Sequence, residues 1–187
     1  MENKKVDNPQ KALLVIDIQE DYTGATAKPP FPYKDSERLI TTVNKIIEEA
    51  SKQEIIVVYI RQEFDGFVGR TISKLFGHGT AIKGNLGTEF DKRINIISNH
   101  CFTKSKPDAL TNPNLEVFLN EHQINELYLV GLDAAACVYF TAKGALKRGS
   151  SVSIIKEGIA LFAEKKWDSL LEQFKRTGIT LISNQEF

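Results

Sequence analysis

The chain has 187 residues, with 24 Lys+Arg against 24 Asp+Glu, 42% hydrophobic residues and 26% charged residues. That length suits one domain whose core needs no staples, and two cysteines, Cys101 and Cys137, allow at most one disulfide, which excludes a disulfide scaffold and suits a reducing compartment. Zero net charge argues against a nucleic-acid binder driven by phosphate contacts, and no apolar run approaches the roughly 20 residues of a membrane span.

Residues 1–10 are polar, lack the apolar stretch of a secretory signal, and read as a short tail before a single domain over 11–187. The expected compartment is the cytoplasm. Residues 12–18 (ALLVIDI) form an apolar run that predicts a strand buried on both faces. Residues 23–34 hold Pro29, Pro30 and Pro32 and read as a loop. Asp35 or Ser36 can cap the next helix, where Leu39, Ile40, Val43, Ile46, Ile47 and Ala50 recur on one face. Residues 55–60 (IIVVYI) are a second buried strand. Residues 61–88 show no clear period and many glycine and aromatic turn signals, with room for a short helix over 71–76. A loop of this length in a compact domain is usually functional or mobile. The third strand falls at 94–97 or 100–103. Asn112-Pro113 fits a helix cap and first turn, followed by Leu115, Phe118 and Leu119. A strand over 126–132, a helix over 135–147 stopped by Gly149, a strand over 152–155, a helix over 165–176 stopped by Gly178 and a strand over 179–183 complete the chain. Strands alternating with helices predict βαβ units and a parallel sheet. Ligands of such sheets bind beyond the carboxyl ends of the strands.

Asp17, Lys104 and Cys137 stand at or just past predicted strand ends. Cys137 opens a predicted helix, whose N-terminal N–H groups and partial positive charge favour a thiolate and cradle an oxyanion. Asp17 is a candidate base for that thiol, and Lys104 a charge that holds the pair. Each residue has a plainer reading beside this one. A lone buried Cys is most often a small hydrophobe, an Asp after a strand is often a turn residue, and a lone Lys is usually solvated. Cys101, in NHCFTK, reads as strand packing.

Residues 13–22, LLVIDIQEDY, resemble the opening motif of the isochorismatase-like cysteine hydrolases. Lys104 in KSKPDALTNPNL falls where that family has its lysine, and GLDAAACVYFTAKGALKRGSSVSII (131–155) is similar to its cysteine block, with a matching final helix and strand. The resemblance spans about residues 11–187. It implies a three-layer α/β/α fold with a six-stranded parallel sheet of order 3-2-1-4-5-6. It also implies a catalytic triad of Asp17, Lys104 and Cys137, a cis peptide between Leu132 and Asp133, and an oxyanion hole from the N–H groups of Asp133 and Cys137. The implied reaction is hydrolysis of a small amide, carbamoyl or imide C–N bond through a thioester. Other readings are a non-catalytic binding or regulatory protein on the same fold, and vinyl-ether hydrolysis of isochorismate. Members of the family often form dimers or tetramers, so a homo-oligomer with a small-molecule substrate is expected, without nucleic acid or membrane partners.

The chain also departs from the family pattern. Nicotinamidases carry an Asp-x-His metal motif after the second strand, where this chain has Gln62 and Phe64, and His78, His100 and His122 lack ligand spacing. Neither a metal nor another cofactor is expected. Ala134 replaces the common Thr and Leu110 the common Phe. Asp133 is an unusual acid at its position, either facing solvent or meeting a cationic substrate group. Tyr22, Phe31, Tyr33 and Phe64, with the 61–88 segment, are the expected pocket walls.

Overall fold

The computed structural model describes residues 10–187. Among them, six strands form one parallel sheet: β1 (Gln10–Ile16), β2 (Ile56–Gln62), β3 (Cys101–Lys104), β4 (Ile124–Gly131), β5 (Ser151–Ile159) and β6 (Thr180–Ile182). Their spatial order is β3-β2-β1-β4-β5-β6, so the chain reverses direction across the sheet between β1 and β4. The helices are α1 (Ser36–Lys52), α2 (Gly66–Phe76), α3 (Pro113–Glu121), α4 (Tyr139–Lys147) and α5 (Trp167–Thr177). No helix of the described residues is long and apolar enough to cross a membrane.

Strands buried on both faces need continuous apolar runs, and β1 supplies one: Ala12, Leu14 and Ile16 join one core while Leu13 and Val15 join the other. The first core is covered by Leu115 and Leu119 of α3, Ala142 and Ala145 of α4, and Leu170 and Phe174 of α5. The second is covered by α1, through the six apolar residues its period predicts. This is the three-layer, doubly wound arrangement, and its order matches the expected one.

Several boundaries differ from the sequence pattern for identifiable reasons. The first strand stops at Ile16, not residue 18, because Asp17 turns into the left-handed region at φ 54°. Gln10, assigned to the tail, is the first residue of β1, and the rest of that tail lies outside the described residues. Asp35 occupies the cap of α1 with φ 58°, and its side chain makes no capping bond. The helix predicted over 71–76 begins at Gly66. Its large apolar residues face outward, so it lacks the inward period that marks a core helix. Of the two candidate third strands, the later one forms, shifted by one residue. Cys101 is exposed at the start of that edge strand, which corrects its reading as core. Before α4 the chain makes one π-helical turn, Ala134–Val138, and β5 runs four residues beyond its predicted end at 155, to Ile159.

The β4 exit sets the height of the following turn. Gly131 has φ 115°, and a Cβ there would run into the backbone carbonyl of Ile16, to which Leu132 N–H donates (3.0 Å). Gly149, with φ 84°, has open space around the same position. Gly131→Ala is therefore expected to cost about 3 kcal/mol or more, from backbone strain plus the clash. Gly149→Ala should cost only about 1 kcal/mol, from strain alone. Urea unfolding midpoints of the two variants check the difference.

Candidate active site

Four adjacent strands, β3, β2, β1 and β4, end in a row of polar and thiol side chains. Lys104 ends β3, Gln62 ends β2 and is its register partner, Asp17 follows β1, and Cys137 sits in the π-helical turn after β4. Lys104 Nζ reaches across β2. It donates to Gln62 Oε1 (2.6 Å), Asp17 Oδ2 (2.7 Å) and Cys137 Sγ (3.1 Å). These partners match the three N–H groups of an ammonium. The lysine side chain has 0% exposure and that of Asp17 3%.

A buried ammonium is tolerated only when it is paired and hydrogen-bonded. Burial alone would lower the Lys104 pKa, but the adjacent Asp17 carboxylate and Cys137 sulfur overcome that and hold it above the ordinary lysine range. The same charges act oppositely on the thiol. Burial first, and then the Asp17 carboxylate, push Cys137 up to about 12, with Lys104 pulling it part of the way down. The pull of the helix terminus toward a thiolate, expected from the sequence, is thus outweighed by burial and the Asp17 carboxylate. Asp17 and Lys104 already neutralise each other, so an added thiolate would leave an unbalanced buried charge.

Two buried atoms of the cluster have no hydrogen-bond partner: Asp17 Oδ1 and Gln62 Nε2. The glutamine orientation is fixed chemically, since an ammonium can only donate and must face Oε1. The Gln62 backbone is fixed too. Its N–H donates to Gln19 Oε1 (2.7 Å), and Gln19 Nε2 donates to the carbonyls of Gln62 (3.0 Å) and Thr88 (2.9 Å). Gln62, which the sequence offers only as a departure from a metal motif, thus belongs to the cluster. Its oxygen is engaged by Lys104. Among the described residues, no group of three or more His, Cys, Asp or Glu side chains is placed to hold a metal ion.

Cys137 and Gln62 open onto a cavity of about 310 Å³, with Tyr22, Phe31 and Phe64 among its walls. Tyr33 does not line it, contrary to the sequence reading. It stacks on Phe31 (5.7 Å between centroids), and its hydroxyl donates to Asp133 Oδ2 (3.2 Å). Asp133 is likewise not a solvent-facing acid. Its carboxylate accepts from Tyr33, from Ala135 N–H (2.8 Å) and from Phe162 N–H (2.6 Å). It ties the turn that carries Cys137 to two other segments. The Leu132–Asp133 peptide is cis. Within this turn the N–H groups of Ala134, Ala135, Ala136 and Val138 bond to Ala160 O, Asp133 Oδ1 and, for the last two, Asp133 O. A larger cavity of about 500 Å³, lined by Asp21, Lys28, His78 and Leu86 among others, does not include Cys137.

A family model described as the isochorismatase domain matches residues 11–186. The uncharacterized isochorismatase family protein PncA of Bacillus subtilis (strain 168) is 26% identical over 166 residues, spanning 83% of this chain and 89% of its own. Two solved structures share the fold. N-carbamoylsarcosine amidase from Thermoplasma acidophilum has a TM-score of 0.78 at 24% identity, covering 95% of this chain and 98% of that one. Nicotinamidase PncA from Bacillus subtilis has a TM-score of 0.74 at 24% identity, covering 93% and 99%.

The charges on the thiol give a signed expectation. In a Cys101→Ser background, alkylation of Cys137 by iodoacetamide should keep accelerating well above pH 9, because burial and the Asp17 carboxylate push the thiol up. Asp17→Asn removes the charge that holds the proton and leaves Lys104 to favour the thiolate, so alkylation at pH 8 should become several-fold faster. Lys104→Met should make it slower. Mass-spectrometric labelling rates across pH measure all three.

Proposed function

Since the chain belongs to the isochorismatase family of hydrolases, we propose that it cleaves a small amide, carbamoyl or imide C–N bond through a thioester on Cys137. The observation that carries this reading is the lysine bonded to Asp17 Oδ2 and Cys137 Sγ at once, with Asp17 Oδ1 left without a partner. The names of the amidase and nicotinamidase of like fold agree with C–N chemistry.

In the proposed sequence Asp17 takes the thiol proton and Cys137 Sγ adds to the substrate carbonyl carbon. The resulting oxyanion lies between the N–H groups of Asp133 and Cys137, the two in that turn not engaged as described above. One such donor is typically worth about 3–4 kcal/mol. The Asp17 carboxyl gives its proton to the departing nitrogen as the C–N bond breaks, leaving an amine and a thioester. Asp17 then takes a proton from water, the hydroxide adds to the thioester carbon, and the C–S bond breaks. The sulfur recovers its proton from Asp17, and the acid leaves. When the proton moves from sulfur to carboxylate, negative charge passes from one acceptor of Lys104 to another, so the buried net charge stays constant. Gln62 Nε2 supplies a fixed donor for an acceptor oxygen of the substrate. The 310 Å³ cavity limits that substrate to a small molecule.

A panel of amides, carbamoyl compounds and imides, read by ammonia release for primary amides and carbamoyl groups and by the acid formed for imides and substituted amides, should yield an active substrate. On that substrate Cys137→Ala and Asp17→Asn should each lose at least about 10³-fold in kcat. Turnover unchanged in Cys137→Ala would refute the mechanism. Pyruvate release from isochorismate, retained in Cys137→Ala, would instead support vinyl-ether hydrolysis. Gln62→Met should lower kcat/KM by at least about 10-fold, through the lost donor and the Lys104 N–H it leaves unmatched.

A further inference from the structure

The cavity that holds Cys137 has walls without a fixed charge. Among the described residues, no lysine, arginine, aspartate or glutamate lines it, and its one imidazole, His78, is exposed to solvent. The ammonium of Lys104 has all three N–H groups engaged. Gln62 Nε2 is one buried donor without a partner. The phenol of Tyr22, on another wall of the same cavity, is a second open donor.

The body of Tyr22 is held firmly, as a ligand-orienting group must be. Its N–H donates to Gln19 O (2.9 Å), its carbonyl accepts from Tyr33 N–H (3.0 Å), and its ring meets Phe31 edge-on at 5.2 Å. The hydroxyl is not held. Its oxygen lies 3.4 Å from Thr80 Oγ1, beyond the usual O–H···O range. Thr80 has one hydroxyl proton, and the Gly77 carbonyl accepts it at 2.6 Å. The phenol proton therefore has no close acceptor among the described residues. Burial first, and then the Asp17 carboxylate, raise the Tyr22 pKa above the ordinary phenol range, with a smaller push from Cys137. The hydroxyl thus keeps its proton, within electrostatic reach of both side chains that react in the proposed sequence.

We propose that Tyr22 is a specificity-determining residue of this cavity. Its hydroxyl donates to the acyl part of an uncharged substrate, which carries an ether, carbonyl or ring-nitrogen acceptor beside the scissile carbonyl. A hydrocarbon acyl group would leave the donor unmatched, and a site built to hydrogen-bond its ligand rejects the analogue that cannot reply. A carboxylate would enter a cavity that offers it no free cation. This names a substrate class for the reaction proposed above and rests on that reading.

The test reads binding and not turnover. In Cys137→Ser the hydroxyl keeps an acceptor for Lys104, and no thioester can form. Methoxyacetamide, butyramide and malonamate are titrated against this variant by ligand-observed NMR. The first two differ only by an ether oxygen in place of a methylene, and the third carries a carboxylate. Methoxyacetamide should bind about 10-fold more tightly than butyramide, and malonamate more weakly than methoxyacetamide. Adding Tyr22→Phe, which keeps the ring and its contact with Phe31, should bring methoxyacetamide and butyramide within about 2-fold of each other. Equal affinities before Tyr22→Phe, an ether preference that survives it, or no binding of methoxyacetamide would overturn the proposal. So would malonamate binding as tightly as methoxyacetamide. None of these outcomes involves chemistry at Cys137, so the donor role can fail while the thioester reaction stands. Unchanged turnover in Cys137→Ala would remove the reaction and leave the binding result in place.

Discussion

An ammonium buried completely, with an acceptor for each of its protons, is the constraint on which the rest of the site depends. Lys104 lies at the end of the edge strand β3 and reaches past β2 to groups that follow β1 and β4. Removing one acceptor would leave a donor of a buried cation unmatched, a costly defect. The carboxylate, the glutamine oxygen and the sulfur are therefore held in one geometry by the charge they share. The parallel sheet makes this possible, because it aligns four strand ends on one edge and opens a crevice where the winding reverses.

The same arrangement favours the thiol form of Cys137. Neutralising Lys104 takes one negative charge, and Asp17 provides it. The sulfur acquires charge only as the carboxylate surrenders it. A cysteine held this way is protected from adventitious oxidants, which attack thiolates, while Cys101 is exposed on the sheet edge. In the proposed mechanism, reactivity is tied to a bound substrate that receives the sulfur.

Much of this was legible in the sequence. The apolar runs located the strands, the helical periods located α1, α3 and α5, and the residues just beyond the strands held Asp17, Lys104 and Cys137. What escaped has a common cause: it depends on contacts between segments far apart in the chain. Gln62 looks like any polar residue at a strand end until Lys104 claims its oxygen from 42 positions away. Tyr33 reads as a pocket aromatic until it is seen bonded to Asp133, 100 positions on. Helix α2 gave no inward period because its inner face is glycine and serine. The left-handed turn at Asp17, which shortened β1, leaves no mark in a run of apolar letters.

Asp133 gathers a segment before α1, the turn after β4 and the segment after β5 on one carboxylate. Contacts spanning 100 and 29 positions carry a closure entropy that must be met before they help. On a chain made from its N-terminus, this three-way junction can close only after Phe162 has been synthesised. The turn that carries Cys137 can thus be anchored only after five of the six strands have been synthesised. A chain that ends before Phe162 would hold Cys137 on a turn without this anchor.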